Sequence, residues 1–179
     1  MGQLLSNIEV ILLNIVDGKP SYAYEIDKTI DLREMKRWVR VGVASIYRVL
    51  IKLEEKGFVY SQNEKEGRMP ERKRYYITAS GRVALVEVSK RLLSNLEWYY
   101  MDLNVGLEAC NLLSPVEVSS CLKKRLAKVK ANIKGMEEIC ANVEDLEKKK
   151  RIIIKNLIYL RGAEKRILED VIKKIGIDE

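Results

Sequence analysis

Two basic side chains share one face of a short segment with helical periodicity. Arg48 and Lys52 lie four residues apart, and a helical wheel places the small residues Ala44 and Ser45 beside them. The opposite face is apolar and holds Ile46, Leu50 and Leu53. Guanidinium and ammonium groups bind phosphates and base edges, and small residues near the start of a helix let it approach a groove closely. This face therefore predicts contact with a polyanion.

A second group of cations follows in a polar stretch between two β-type segments. Residues 58–62 and 74–78 alternate as strands do, which predicts a hairpin whose charged loop carries five basic residues. They are Lys65, Arg68, Arg72, Lys73 and Arg74. Residues 31–82 contain 13 Lys and Arg against 7 Asp and Glu, a balance of +6 within a chain of net charge +7. The excess positive charge thus lies around the two candidate contact surfaces.

The composition argues against most enzyme classes. The 179 residues include no histidine, the commonest general base and metal ligand, and no glycine-rich phosphate loop. Cys110, Cys121 and Cys140 are too far apart for a C-x-x-C zinc site and are expected to be small core residues, with redox sensing by Cys110 as the alternative. We expect no metal, no cofactor and no enzymatic activity. Short apolar runs and an odd cysteine count predict a cytoplasmic protein that does not enter the membrane.

Three helices and the hairpin are predicted to form the first part of the chain. Apolar residues recur at three- and four-residue steps over 4–17, 22–32 and 42–57. Ser21 is expected to cap the second helix, and Gly57 stands where the third should end. Helix, helix, helix, hairpin is the layout of a winged helix-turn-helix, so we predict this fold over residues 1–82.

The rest of the chain, residues 83–179, is predicted to be helical. A long linker helix is expected over 79–105, and Ser114 and Glu117 form a capping box around a proline at the first helical position. Two apolar seams follow, and we expect a break near Asn142 that yields a hairpin or an angled pair of helices. The fold class is therefore mainly α with a small β-hairpin: a winged-helix head, a linker helix and a helical dimerisation tail.

The apolar seams of this tail require a cover. They must pack against each other within one chain, against a second chain, or both. Candidate dimerisation residues are Leu96, Trp98, Leu122, Leu126, Val129, Ile133, Met136, Leu157 and Leu160. Trp98, Tyr99 and Tyr100 form an aromatic cluster, for which two interpretations remain: interface core, or the wall of an effector pocket.

Several segments resemble the PadR-like family of transcriptional regulators. Residues 45–59 are similar to its recognition helix and following strand, 23–26 to a motif of its second helix, and 67–82 to its wing, tyrosine pair and helix start. The resemblance covers roughly residues 5–85 closely, and the tail only in layout. It implies a homodimer with helical tails at the interface, repression as the usual role, and in some relatives a response to phenolic acids or hydrophobic drugs.

Together these observations predict a transcriptional regulator that binds an inverted repeat in double-stranded DNA as a homodimer. The resemblance implies that it is a repressor, which is the usual role in the family. The candidate DNA-binding residues are Tyr24, Ala44, Ser45, Tyr47, Arg48, Lys52, Arg68, Arg72, Lys73 and Arg74. The alternative is a winged-helix and coiled-coil module that binds protein and not DNA. A small hydrophobic or phenolic effector is the further expected partner.

Overall fold

The computed structural model describes residues 5–65, 71–141 and 148–175. The chain forms two compact units, Met1–Glu97 and Trp98–Glu179. The expected fold class, mainly helical with a small antiparallel sheet, is confirmed. Among the helices within the described ranges, none is long and apolar enough to cross a membrane.

The N-terminal unit consists of four helices and three short strands. In chain order they are α1 (Asn7–Gly18), β1 (Ser21–Tyr22), α2 (Ala23–Leu32), α3 (Val43–Glu55), β2 (Val59–Glu64), β3 (Arg72–Ile77) and α4 (Ala79–Ser94). A short 3₁₀ turn over Met35–Arg37 lies between α2 and α3. Gly57 follows the end of α3 as expected, and its φ of +70° is a conformation that glycine adopts readily.

The sheet is antiparallel, with β3 between β1 and β2. In the β2–β3 hairpin Tyr60 pairs with Tyr76 and Glu64 with Arg72. The strands therefore extend further than the alternation pattern predicted, and Arg72, Lys73 and Arg74 lie in β3 and not in the loop. The prediction that Ser21 caps α2 is wrong: Ser21 lies in β1, and Glu25 accepts the Tyr22 backbone N–H instead.

One continuous apolar core holds this unit together. Its fully buried side chains come from α1, α2, α3 and β2, and they are Leu12, Leu13, Val16, Ile26, Ile30, Ile46, Leu50, Leu53 and Val59. Burial of Ile46, Leu50 and Leu53 confirms the apolar face predicted for α3. Burial of each of these side chains away from water contributes about 1.5–3 kcal/mol to the stability of the folded state.

A buried carboxylate links the two ends of this core. Glu9 accepts hydrogen bonds from the Ser6 backbone and hydroxyl at 2.8 and 2.9 Å, forming the capping box of α1. Its other oxygen accepts from Lys56 Nζ, at the end of α3. Burial alone would raise the pKa of Glu9, but the hydrogen bonds from Lys56 and Ser6 outweigh it and lower the pKa.

Helix α4 belongs to the N-terminal unit. It packs on α1, and Val88 enters the core. Gly81 lies so close to the connection between α3 and β2 that a Cβ there would collide with the Phe58 carbonyl oxygen. The predicted helix over 79–105 is wrong in extent, because α4 ends at Ser94 and Asn95 is extended. The chain accordingly divides between Glu97 and Trp98, later than the predicted division at residue 82.

The C-terminal unit contains the short α5 (Asp102–Glu108) and two long helices, α6 (Pro115–Ala141) and α7 (Lys148–Ile175). Ser114 and Glu117 form the predicted capping-box hydrogen bonds. Helices α6 and α7 pack as an antiparallel pair: Met136 meets Ile154 near one end, and Leu122 and Val129 meet Leu168 toward the other. The break expected near Asn142 lies outside the described residues.

Candidate nucleic-acid interface

The outer face of α3 combines cations, small residues and exposed apolar side chains. Arg48, Lys52 and Ala44 are exposed, while Ser45 is half-buried. Val43, Tyr47 and Ile51 form an exposed stripe beside them, each about half accessible. Sequence reasoning singled out Tyr47 but missed Val43 and Ile51, although their four-residue spacing on the same wheel could have identified them.

The two cations of α3 have no carboxylate partner among the described residues. Arg48 Nε donates to the Ala44 carbonyl oxygen of its own helix at 3.3 Å. Lys52 forms no ion pair within the described ranges, although Glu55 lies one turn further on. Their positive charge is therefore available to an anion from outside the chain.

Tyr24, on α2, is stacked between aromatic and cationic groups. Its ring lies parallel to that of Tyr22 with centroids 5.6 Å apart. Lys28 Nζ lies 5.6 Å from its centroid and the Arg72 guanidinium 5.4 Å from it. Cation–π contacts of this kind hold Arg72 at the surface of β3 while its charge stays near solvent.

Glu64 organises the hairpin beneath these residues. Its carboxylate accepts hydrogen bonds from the hydroxyls of Tyr22 and Tyr76, both at 2.8 Å, and from Arg74 Nε at 2.9 Å. The hydrogen bonds from Tyr22 and Tyr76 lower the pKa of Glu64. Tyr60 stacks on Tyr76 with centroids 5.1 Å apart and extends the network along β2.

Arg74 thus makes its contacts inside the protein. Its guanidinium lies 4.3 Å from the Tyr22 ring centroid, and its pKa is raised by the hydrogen bond with Tyr22 and by the charge of Glu64. Lys73 is more exposed and lies 4.0 Å from Glu54 on α3. Arg68 lies outside the described residues. Of the basic residues expected in the wing and described by the structure, Lys65 and Lys73 are exposed, whereas Arg74 supports the hairpin.

The residues predicted for dimerisation divide into two groups. Leu122, Val129 and Met136 are buried, and they pack against α7 of the same chain. Leu126, Ile133 and Leu157 are partly buried beside them. Leu96, Trp98 and Leu160 are exposed, as are Tyr99 and Tyr100. The long seam of α6 is therefore covered mainly from within one chain.

Metal ligation has no support in the described ranges, where no group of three or more Cys, Asp or Glu side chains could hold an ion. The three cysteines are free thiols. Cys110 and Cys140 are half-buried, whereas Cys121 is exposed and does not fit the expectation of a core residue.

Comparison with known structures identifies relatives of the same fold. The chain is similar to Bacillus subtilis PadR in complex with operator DNA, with a TM-score of 0.81, 18% identity, and coverage of 95% of this chain and 99% of that one. Bacillus subtilis PadR in complex with p-coumaric acid gives a TM-score of 0.78, 19% identity and coverage of 96% and 99%. The Vibrio cholerae virulence activator AphA gives a TM-score of 0.73 and 18% identity, with coverage of 97% of this chain and 100% of that one.

Curated protein sequences give no significant match. The model of the "Transcriptional regulator PadR-like family" matches residues 12–87, a segment that spans α3, the hairpin and most of the N-terminal core. The resemblance drawn from the sequence motifs is therefore confirmed over residues 12–87, which match the model of the PadR-like family of transcriptional regulators.

Proposed function

We propose that the chain is a sequence-specific DNA-binding regulator that represses transcription as a homodimer on an inverted repeat. The outer face of α3 carries this proposal. It is fixed from behind by Ile46, Leu50 and Leu53, and it presents Arg48 and Lys52 without a carboxylate partner among the described residues. A rigid helix with unneutralised cations and small residues near its start suits the major groove of DNA.

Each part of this face has a distinct expected role. Arg48 reaches the acceptor edge of a guanine or a phosphate, and Lys52 reaches a phosphate. Ala44 and Ser45 allow close approach at the start of α3. The exposed methyl groups of Val43 and Ile51 suit contact with the C5-methyl group of thymine.

The hairpin is expected to contact the DNA backbone. Lys73 and Arg72 supply charge at the surface, and Tyr24 holds Arg72 through its ring face. Arg74 acts from within, because its ion pair with Glu64 braces β3 against β2 and its cation–π contact with Tyr22 braces β3 against β1. The likeness to a PadR bound to operator DNA supports this role for the hairpin and α3.

The exposed apolar side chains of the C-terminal unit support a homodimer. On α7, Ile154 and Leu168 face α6, while Ile152, Tyr159, Leu160 and Ile167 form an exposed stripe on another side of the helix. Trp98 is 76% exposed and Tyr100 is 94% exposed. A second copy would bury these surfaces and would bring a second α3 to the DNA, and the resulting two-fold symmetry matches an inverted repeat.

Repression requires only that the dimer occupy a promoter. A small hydrophobic or phenolic effector that releases it is part of the proposal, supported by the p-coumaric acid complex of Bacillus subtilis PadR. Placement of that effector at Trp98, Tyr99 and Tyr100 stays a prediction.

Selection from a random double-stranded DNA library tests the proposal without a known operator. The full chain should enrich one inverted repeat with half-site centres about 10 bp apart. Arg48→Ala/Lys52→Ala should then weaken binding to the selected site by about 1–3 kcal/mol per lost base contact and relax its specificity.

The matched control is Lys19→Ala/Lys90→Ala, which removes two exposed cations from outside α3 and the hairpin and should leave specificity unchanged. Failure to enrich any sequence, or equal effects of the two double variants, would contradict the assignment of α3.

A further inference from the structure

A cavity of about 700 Å³ lies within the C-terminal unit, between α5, α6 and the middle of α7. Pockets of roughly 300–1,000 Å³ bind drug-sized molecules, so its volume suits a small ligand. Its wall is largely apolar and includes Leu103, Leu107, Leu113, Val118, Leu122 and Val129. Neither Trp98 nor its two aromatic neighbours line it.

The charged residues that line the cavity include more cations than carboxylates. The cations are Lys124, Arg125, Lys128 and Arg161, and the carboxylates are Asp102 and Glu164. Glu164 is buried, with its side chain only 4% exposed, and both arginines bind it; Arg125 does so at 2.7 Å. Burial would raise the pKa of Glu164, but hydrogen bonds from Arg161 and Arg125 outweigh it and lower the pKa. Glu164 is thus a neutralised anion within the wall.

Two cations remain outside this triad. Lys124 and Lys128 lie one turn apart on the same face of α6, both exposed, and neither has an ion-pair partner among the described residues. Asp102, in the first turn of α5, is the one acidic group at the cavity that the triad does not use. The cavity therefore joins an apolar interior to an excess of available positive charge.

We propose that this cavity binds a small anionic amphiphile, with its apolar body against the leucines and its carboxylate or sulfonate at Lys124 and Lys128. An apolar body recovers the hydrophobic free energy of the exposed wall, and the anion gains charge-assisted hydrogen bonds at its mouth. Any effect of such a ligand on transcription rests on the proposed function. Binding itself does not depend on it.

The chain contains its own reporters for this site. Cys110 and Cys121 line the cavity, whereas Cys140 packs beside Met136 and Ile154 in a separate cluster. A bound ligand should shield the first two thiols and leave the third unchanged. The three alkylation rates, read peptide by peptide by mass spectrometry, thus contain an internal control.

The probe is decanoate, and 1-decanol is its uncharged counterpart. The full chain is titrated with each by calorimetry, and iodoacetamide alkylation is followed with and without ligand. Decanoate should bind saturably and slow alkylation of Cys121 and Cys110 at least about threefold, with Cys140 unaffected. Lys124→Gln/Lys128→Gln should weaken decanoate binding about tenfold, as expected for lost bonds to a charged group, and leave decanol binding unchanged.

Lys173→Gln/Lys174→Gln removes the same charge from the end of α7, outside the cavity, and should bind decanoate like the wild type. Equal protection of all three cysteines, or equal weakening by the two double variants, would overturn the proposal. Protection of Cys121 that appears without ligand and grows with protein concentration would also overturn it, since a second copy would then fill the cavity.

DNA binding of the ligand-free protein separates this inference from the proposed function. Lys124→Gln/Lys128→Gln should bind the selected inverted repeat as tightly as the wild type in the absence of decanoate. If the wild type binds no specific DNA yet decanoate protects Cys121, the regulator assignment fails and the cavity stands. If the wild type binds specific DNA but shows no saturable decanoate binding, the cavity proposal fails and the regulator assignment is retained.

Discussion

The two units of the chain bury their apolar residues to very different degrees. In the N-terminal unit, side chains from four helices and the sheet converge on one core, and many of them are fully inaccessible. In the described part of the C-terminal unit, burial is confined to two small clusters, one between α5, α6 and α7 and one between α6 and α7, while Leu112, Trp98 and Tyr159 face outward. The first unit buries its own hydrophobic surface, whereas the second leaves many large apolar side chains exposed.

This difference assigns the two units different physical tasks. A self-sufficient core gives α3 a fixed backing, which is what a helix needs if its outer side chains are to be placed against base edges. An unsatisfied apolar surface gives the second unit a reason to associate. The following predictions test that contrast, from the largest expected effect to the smallest.

A charge in the N-terminal core should have the largest effect. Leu50→Asp places an unpaired carboxylate at a fully buried position and should destabilise this unit by more than about 4 kcal/mol. Ile51→Asp, the exposed neighbour, should change stability by only about 0.5 kcal/mol. Urea unfolding in a Trp98→Phe background isolates Trp38 as the reporter of this unit. Similar losses for both variants would mean that α3 is not backed by the core as described.

Charges on the exposed side of α7 should act on assembly and not on folding. Leu160→Lys/Ile167→Lys should yield monomers in light scattering and lower affinity for an inverted repeat about 100-fold or more, because linked binding of two heads is lost. Lys155→Glu, on the same helix, should remain dimeric. A dimer that persists in the double variant would move the interface toward Leu96 and Trp98, and a monomer with wild-type DNA affinity would refute the link between assembly and binding.

Within the hairpin, two adjacent cations should behave differently. Lys73→Gln should reduce the slope of log K against log salt by about 0.9, the value for one lost phosphate contact. Arg74→Gln should leave that slope unchanged and lower the stability of the N-terminal unit, since its partners are Glu64 and Tyr22. Mobility-shift titrations at several salt concentrations distinguish them, and equal slopes for the two variants would refute the division of roles.

The smallest effect concerns pH. The pKa of Glu64 is lowered in the folded protein by hydrogen bonds from Tyr22 and Tyr76, so its contribution is present above the pKa of the unfolded chain and is lost as pH falls through the folded value. Stability of the N-terminal unit should therefore decrease on acidification, and Glu64→Gln should show a shallower decrease. Parallel pH profiles for wild type and Glu64→Gln would assign the acid sensitivity to other carboxylates, such as Glu9.

Local patterns in the sequence predicted the helical face of α3, the hairpin, the capping box at Ser114 and the family. They did not predict β1, because a two-residue strand has no periodicity and exists only through its pairing with β3. The seam of α6 suggested a partner chain, yet α7 of the same chain covers most of it. Residue spacing shows that a helix face is apolar, but it does not show whether that face packs against a helix of the same chain or of a second chain.

The candidate site shows the same limit. Charge and wheel position predicted that Arg48 and Lys52 lie on the exposed face of α3, and the structure places them there. The same reasoning treated Arg74 as equivalent to Lys73, because only the fold brings Glu64 and Tyr22 to one of them and not to the other.

The shared carboxylate of Glu9 has a mechanical consequence for α3. One oxygen anchors the start of α1 and the other anchors Lys56, so any slide or rotation of α3 along its axis would have to break a charged contact to a buried carboxylate. Removing one member of a buried ion pair costs about 3–5 kcal/mol. A mismatched base pair in a binding site costs about 1–3 kcal/mol, which is less than the energy needed to displace α3. In the proposed DNA complex, an imperfect site would then be accommodated by the side chains of Arg48 and Lys52 and by bending of the DNA, while α3 keeps its position.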